Sequence, residues 1–269
     1  MKIALIDNGS LAPASPRHLR AVAAELTART GEGVAAVSWK HSDRIPAADL
    51  DGTPAWTLAP WVRAQLAQGE RDFIFVPYFV SARGAIRSAV ESDLAALSRA
   101  VGGFSFRFTE GLGESLAAIV SDRVRETIAA RGLGRPPVVV VDHGGPAPAS
   151  AELRNRVAAG LRNGAFGRVA AASMESPDGP EFAFNRPLLA ELLRAPGFDA
   201  GAVVIAPLFL SPGRHAGAGG DLARIARDAE AGRPGLRCHF TGLVGTHPLA
   251  IDRLAGALRA SLDSSLIFS

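Results

Sequence analysis

At 269 residues, with 48% hydrophobic and 20% charged positions, the chain is long enough for two α/β domains of ordinary size with buried cores. Its formal charge is +3 and nearly every cation is Arg, which suits a ligand carrying several carboxylates as well as nucleic acid, though no Lys/Arg-rich block or basic-aromatic motif supports the latter. No apolar run approaches the roughly 20 residues of a membrane span, no leader pattern opens the sequence, and the single Cys238 excludes an internal disulfide and thiolate-rich zinc sites, so a reduced cytoplasmic setting is expected.

Short apolar runs rich in Val, Ile and Phe alternate with amphipathic stretches along the whole chain. In order, the first half reads as strand 2–7, helix 16–30, strand 33–39, helix 56–68, strand 72–79, helix 86–101, strand 104–108 and helix 113–130. RGLGRPP at 131–137 is the natural linker, since Gly and Pro end the preceding helix and precede the next strand. The second half follows with strand 137–142, helix 150–163, strand 167–173, helix 182–194, strand 201–209, helix 221–230, strand 236–241 and helix 248–263. Such alternation predicts parallel sheets with right-handed crossovers and helices on both faces.

The plan repeats because the sequence repeats. DNGSLAPAS (7–15) and DHGGPAPAS (142–150) share six residues of nine, and each follows an apolar run. FVPYFVSARG (75–84) echoes IAPLFLSPGR (205–214), and FTEGLGESLA (108–117) echoes FTGLVGTHPLA (240–250). Three ordered matches at a nearly constant offset predict a duplicated α/β unit, with domains at 1–132 and 137–269.

Ligands of open α/β sheets bind outside the carboxyl ends of the strands. His143 follows the first strand of the second half and His215 the third, so both face one crevice if those strands are neighbours. Flanking glycines let a bulky planar ligand approach the backbone, and neutral imidazole suits Fe(II), Co(II), Ni(II) and Zn(II). Two histidines leave most coordination positions open, which suits an ion being delivered rather than stored. His18, His41 and His239 lack this setting and read as ordinary surface or core histidines. Glu175 ends the second strand of the same half and offers a base or a third ligand. Arg214 either pairs with an anionic ligand or is simply solvated, and His247, in the fourth strand-to-helix loop, is a further candidate for the crevice wall. Asp221 reads best as the N-cap of the helix that follows. GRHAGAGGD (213–221) fails the dinucleotide fingerprint, with Leu222 where the last glycine is needed; no P-loop exists, and DHGG lacks the serine-hydrolase elbow.

At DHGG (142–145), MES (174–176), APLFLSPGRHAGAGGD (206–221) and GTHPL (245–249) the sequence resembles the class II sirohydrochlorin chelatases, in their long, tandem-duplicated form. The resemblance implies two tandem chelatase-like α/β domains, each a small parallel sheet flanked by helices. It also implies insertion of cobalt or iron into sirohydrochlorin or a related tetrapyrrole, in cobalamin or sirohaem biosynthesis. His143 and His215 become catalytic metal ligands, and Glu175 takes pyrrole protons or helps position the metal. Arg214 and His247 are local candidates for touching the macrocycle. The ion, Co(II) or Fe(II) with Ni(II) as a further option, is a substrate, and no organic cofactor is needed. The expected partner is the tetrapyrrole, with no nucleic acid or membrane, for a monomer or homodimer.

Departures from the family pattern are unequal between the halves. Asn8, Ala85 and Lys40 stand where the two histidines and the glutamate would be in the first half, so its site reads as dismantled. The second half has His-Gly-Gly-Pro in place of His-Gly-Ser with a following Arg, and a glycine-rich stretch between His215 and Asp221. A non-catalytic metal or tetrapyrrole carrier is therefore the alternative reading. A metal-dependent hydrolase is a third, weakened by the lack of an Asp/His-rich ligand set.

Overall fold

The computed structural model describes residues 1–81, 84–113, 115–162, 164, 166–217 and 219–266. Ala82 and Arg83 of the repeated motif, Glu114 and Asn163 at expected helix ends, and Ala218 of the glycine-rich stretch lie outside the described residues.

Among the described residues nine strands form two sheets, all of whose pairings are parallel, as the alternating pattern predicts. The first contains β1 (Lys2–Asp7), β2 (Val34–Ser38), β3 (Trp56–Thr57), β4 (Asp72–Pro77) and β5 (Ser105–Phe108), in the order β3-β2-β1-β4-β5. The second contains β6 (Val138–Asp142), β7 (Val169–Ser173), β8 (Gly201–Pro207) and β9 (Leu236–Phe240), in the order β7-β6-β8-β9. Apart from the β3 edge the two orders are the same, and so are the registers: Asp7 pairs with Ser38 as Asp142 pairs with Ser173. All of β6 is buried, the unbroken apolar run expected of a central strand covered on both faces.

The helices are α1 (Ala14–Thr30), α2 (Leu58–Ala67), α3 (Ala85–Ala100), α4 (Ser115–Arg131), α5 (Pro148–Arg162), α6 (Leu189–Leu192), α7 (Asp221–Ala231) and α8 (Pro248–Leu266). Two expected helices differ. The stretch 56–68 begins as an edge strand, because aromatic Trp56 and β-branched Thr57 pair with Val37 and Ser38 before the helix starts at Leu58. The stretch 182–194 breaks into a 3₁₀ turn, Pro180–Asn185, and the short α6, since Pro187 between them cannot continue a helix. Among the described residues no helix is long and apolar enough to cross a membrane.

The chain divides into two compact units, Met1–Gly113 with Pro248–Ser269, and Glu114–His247. In the first, α8 packs on α1, Arg29 pairs with Asp252, and Arg253 pairs with Glu110. Its core is aromatic, with Trp61, Phe73 and Phe75 in mutual edge or stacked contact. Burying each such ring is worth about 1.5–3 kcal/mol. In the second unit, α4 packs on α5 and β8, and Arg123 donates to the Leu243 carbonyl at 3.1 Å. Its core is aliphatic, built from Val139, Val141, Val203, Ile205, Leu189 and Leu193. The closing helix of each half thus belongs to the unit built on the other half. An amphipathic pattern marks a helix's apolar face without saying which sheet that face will cover.

Candidate functional site

The backbone ladder of the second unit runs past its strands and so fixes the loops at their carboxyl ends. Met174 N donates to Asp142 O at 2.8 Å, Glu175 N to His143 O at 3.1 Å, and Leu208 N to Val141 O at 2.8 Å. Gly144 makes the crossing possible: it has φ +84°, and a Cβ there would sit 1.8 Å from the Glu175 carbonyl oxygen. Only glycine lets the loops after β6 and β7 approach this closely. Since β6 lies between β7 and β8, the residues after all three strands converge.

His143 and His215 are brought together, with ring centroids 4.6 Å apart and planes at 85°. His143 Nδ1 lies 2.8 Å from the Gly144 carbonyl oxygen, and His215 Nδ1 lies 2.8 Å from Asp221 Oδ2. Both partners only accept, so in the neutral rings each Nδ1 carries the proton and each Nε2 presents its lone pair. This is the tautomer a metal ion needs, set by the outer contacts that orient ligating histidines. Two imidazoles sharing one ion at about 2.1 Å through nitrogen place their centroids roughly 4.5–5.3 Å apart, the lower end for a right angle and the upper for tetrahedral geometry. The observed spacing falls in that range. Glu175 Oε1 lies 3.6 Å from His143 Nε2, with both side chains largely open to solvent. The Phe209 ring flanks His143 at 6.5 Å. Among the described residues no group of three or more His, Cys, Asp or Glu forms a metal cage.

Asp221 is the residue that sequence reasoning misassigned. It is the first residue of α7, its N-cap neighbour Gly220 makes no side-chain cap, and its carboxylate turns back to His215 instead. Hydrogen bonds from His215 first, and then from Arg224, hold its carboxyl below the ordinary range. The glycine stretch allows this return, because a Cβ on Gly220 would come 2.8 Å from the His215 carbonyl oxygen. An acidic residue six positions after a candidate ligand, across a glycine-rich loop, was the available signal.

The remaining candidates fall outside the pair. Arg214 is 85% exposed and makes one long ion pair, Nε lying 3.9 Å from Asp221 Oδ2. His247 was expected on the crevice wall but is only 4% exposed, and its Nε2 lies 3.7 Å from Glu126 on α4. It presents little surface to a ligand. In the first unit the corresponding turn survives without the chemistry. Gly9 has φ +85° and its Cβ would meet the Lys40 carbonyl oxygen at 1.8 Å, while the Lys40 ammonium sits 3.8 Å over the Trp39 ring.

Residues 137–261 match the CbiX family model. No match is found among curated proteins. Among solved structures, SirB from Bacillus subtilis with Fe3+ is similar over 96% of this chain and 95% of its own, at 14% identity and a TM-score of 0.68. The sirohydrochlorin chelatase SirB from Bacillus subtilis subspecies spizizenii, in complex with cobalt, is similar over 96% and 94%, at 15% identity and 0.67. DR2241 from Deinococcus radiodurans, a multi-domain protein with structural similarity to chelatases and two additional novel domains, is similar over 95% and 54%, at 20% identity and 0.61. The chelatase resemblance carried by the motifs is thus matched by a family model in the second half and by fold along nearly the whole chain.

Proposed function

We propose that this chain inserts a divalent metal ion, cobalt or iron, into sirohydrochlorin or a related tetrapyrrole, using the single site built around His143 and His215. The observation that carries the reading is the imidazole pair: two rings 4.6 Å apart, each with its Nδ1 held by an acceptor, and with the Nε2 of His143 facing Glu175 Oε1 at 3.6 Å. Their Nε2 atoms replace part of the ion's water shell and hold it where the macrocycle arrives. Two protein ligands bind an ion loosely enough to release it, which fits a metal that is substrate rather than resident. The macrocycle nitrogens must lose two protons as the metal enters; in this reading the Glu175 carboxylate, 3.6 Å from His143 Nε2 and open to solvent, takes them one at a time and passes each to water. Fixing ring and ion in one geometry supplies much of the acceleration. Arg214, largely exposed and only loosely paired with Asp221, is available to a carboxylate of the macrocycle. The setting we propose is cytoplasmic, with no organic cofactor.

The test is a spectrophotometric assay of sirohydrochlorin with Co(II), Fe(II) or Ni(II), with and without the protein. Multiple turnovers are expected, with the fastest ion identifying the metal. The double variant His143→Ala, His215→Ala should fall to the uncatalysed rate, and an unchanged rate would remove the site assignment. Stoichiometric binding without turnover would make the protein a carrier instead.

A further inference from the structure

Beneath the site lies a buried cation that the mechanism above does not use. Arg154, on α5, is 1% exposed and is the largest fully buried side chain among the described residues. Its Nη1 donates to Asp142 Oδ1 at 3.3 Å and to Ser173 Oγ, and Ser173 Oγ donates in turn to Asp142 Oδ1 at 2.6 Å. Its Nη2 donates to the Phe184 carbonyl at 2.9 Å and, with Nε, to Asn155 Oδ1 at 3.0 and 3.1 Å. One guanidinium therefore ties together the residue before His143, the residue two before Glu175, and the 180–185 turn. That turn closes the ring, because buried Asn185 donates to Gly145 O at 3.0 Å and accepts from Gly145 N at 3.3 Å.

We propose that Arg154 is a positioning residue, fixing the backbone of His143–Gly145 so that His143 keeps its Nε2 beside Glu175. A buried ion pair is weak evidence for stability, since desolvating both charges costs several kcal/mol and an apolar replacement is often as stable. The chain contains that replacement. Aligning ASPRHLR (14–20) with ASAELRN (149–155) puts Leu19 opposite Arg154, and Leu19 is equally buried. The first sheet nevertheless keeps the same strand order, the same register at Asp7–Ser38 and the same glycine turn. The guanidinium is dispensable for this fold and is found where the histidine pair is found. Asp142 takes both of its side-chain contacts, from Arg154 and Ser173, on Oδ1, and its Oδ2 is buried without a partner, so Arg154 is the one cation that offsets this buried carboxylate.

The catalytic consequence rests on the chelatase reading, whereas the conformational one does not, and one set of measurements separates them. The variant Arg154→Leu, Asp142→Asn in the full chain removes both charges and leaves no lone buried ion. In the metal-free protein, ¹⁵N NMR of the imidazoles should show His143 moving from one Nδ1–H tautomer to a solvent-like mixture. His215, anchored separately by Asp221, should not change. Titration with Co(II) alone should weaken by about 10–100-fold, the usual effect of removing an outer contact of a ligating histidine, and turnover should fall with it. Unchanged His143 signals with Co(II) affinity within about twofold of the parent would overturn the proposal, and so would a double variant that does not fold. Altered His143 signals and Co(II) affinity, in a protein whose parent turns over no tetrapyrrole, would uphold the positioning role and reject the chelatase reading.

Discussion

Replacing Asp7 by asparagine should stabilise the first unit, and only above mildly acidic pH. Asp7 ends β1 at 6% exposure, without the guanidinium that its counterpart Asp142 has. Burial pushes its carboxyl up from an ordinary 3.8 to about 6, with hydrogen bonds from Ser38 and from Gly9 N at 3.0 Å offsetting only part of the cost. At 1.36 kcal/mol per pKa unit, holding the ionised group in the folded state costs about 3 kcal/mol. The folded carboxyl binds its proton more tightly than the unfolded one. The cost is therefore absent below about pH 4, grows between about 4 and 6, and is complete above 6. An amide keeps an acceptor for Gly9 N and removes the charge. The assay is urea unfolding at several pH values, followed by tryptophan fluorescence; Trp39, Trp56 and Trp61, the only tryptophans, lie in the same unit as Asp7. Above pH 6 the Asp7→Asn variant should unfold at a urea concentration higher by on the order of 1 M, and the difference should vanish near pH 4. Equal midpoints at every pH, or a less stable variant above pH 6, would mean that the local hydrogen bonds, not burial, govern this carboxylate.

Gly144→Ala should disable the site, because its methyl would meet the Glu175 carbonyl at 1.8 Å in a left-handed backbone, whereas Gly9→Ala should strain the first unit equally and leave Co(II) binding intact. Thermal unfolding and Co(II) titration of both variants check this, and a Gly144→Ala protein with parental affinity would refute it. Asp221→Ala frees the His215 ring and should weaken Co(II) binding by about 10–100-fold. Because the Asp221 carboxyl is held low, its contact with His215 should be complete above the ordinary carboxylate range and be lost only as pH falls through the depressed value. Cys238, on β9, has its thiol pushed up to about 12 by burial, with Glu230 adding to the effect. Iodoacetamide at pH 8 should label it slowly in the native chain and rapidly in urea, and equal rates would contradict the burial argument.

Strand identity was legible because each strand is a short apolar run ending at a repeated motif, and the run at 138–141 is buried as a whole. The neighbouring positions of β6 and β8, assumed when His143 and His215 were aimed at one crevice, are what the sheet order provides. Local pattern failed where two preferences met over a few residues. Trp56 and Thr57 satisfy an edge strand as well as a helix start, and only the presence of β2 beside them decides. Allocation of α4 and α8 was beyond reach for a different reason: both are amphipathic, and nothing within either helix names the surface that will cover it.

The site divides along the same line. His143, His215 and Glu175 could be read because strand ends project into a common space and their residue types suit a metal. Asp221, Arg154 and Asn185 could not, since each acts through a contact that exists only after the chain folds back on itself. The like strand order and register of the two sheets supply a control that a single domain lacks. Gly9 and Gly144 stand at matching positions of the two halves and make the same close approach, so that feature serves the turn rather than the chemistry. Arg154 occurs in one half and is replaced by an equally buried Leu19 in the other, where Asn8 and Lys40 have replaced the histidine and the glutamate. A residue shared by both copies is therefore a candidate for the fold, and one that disappeared with the histidines is a candidate for the site. By that criterion the buried guanidinium belongs with His143, although it touches neither the ring nor the solvent.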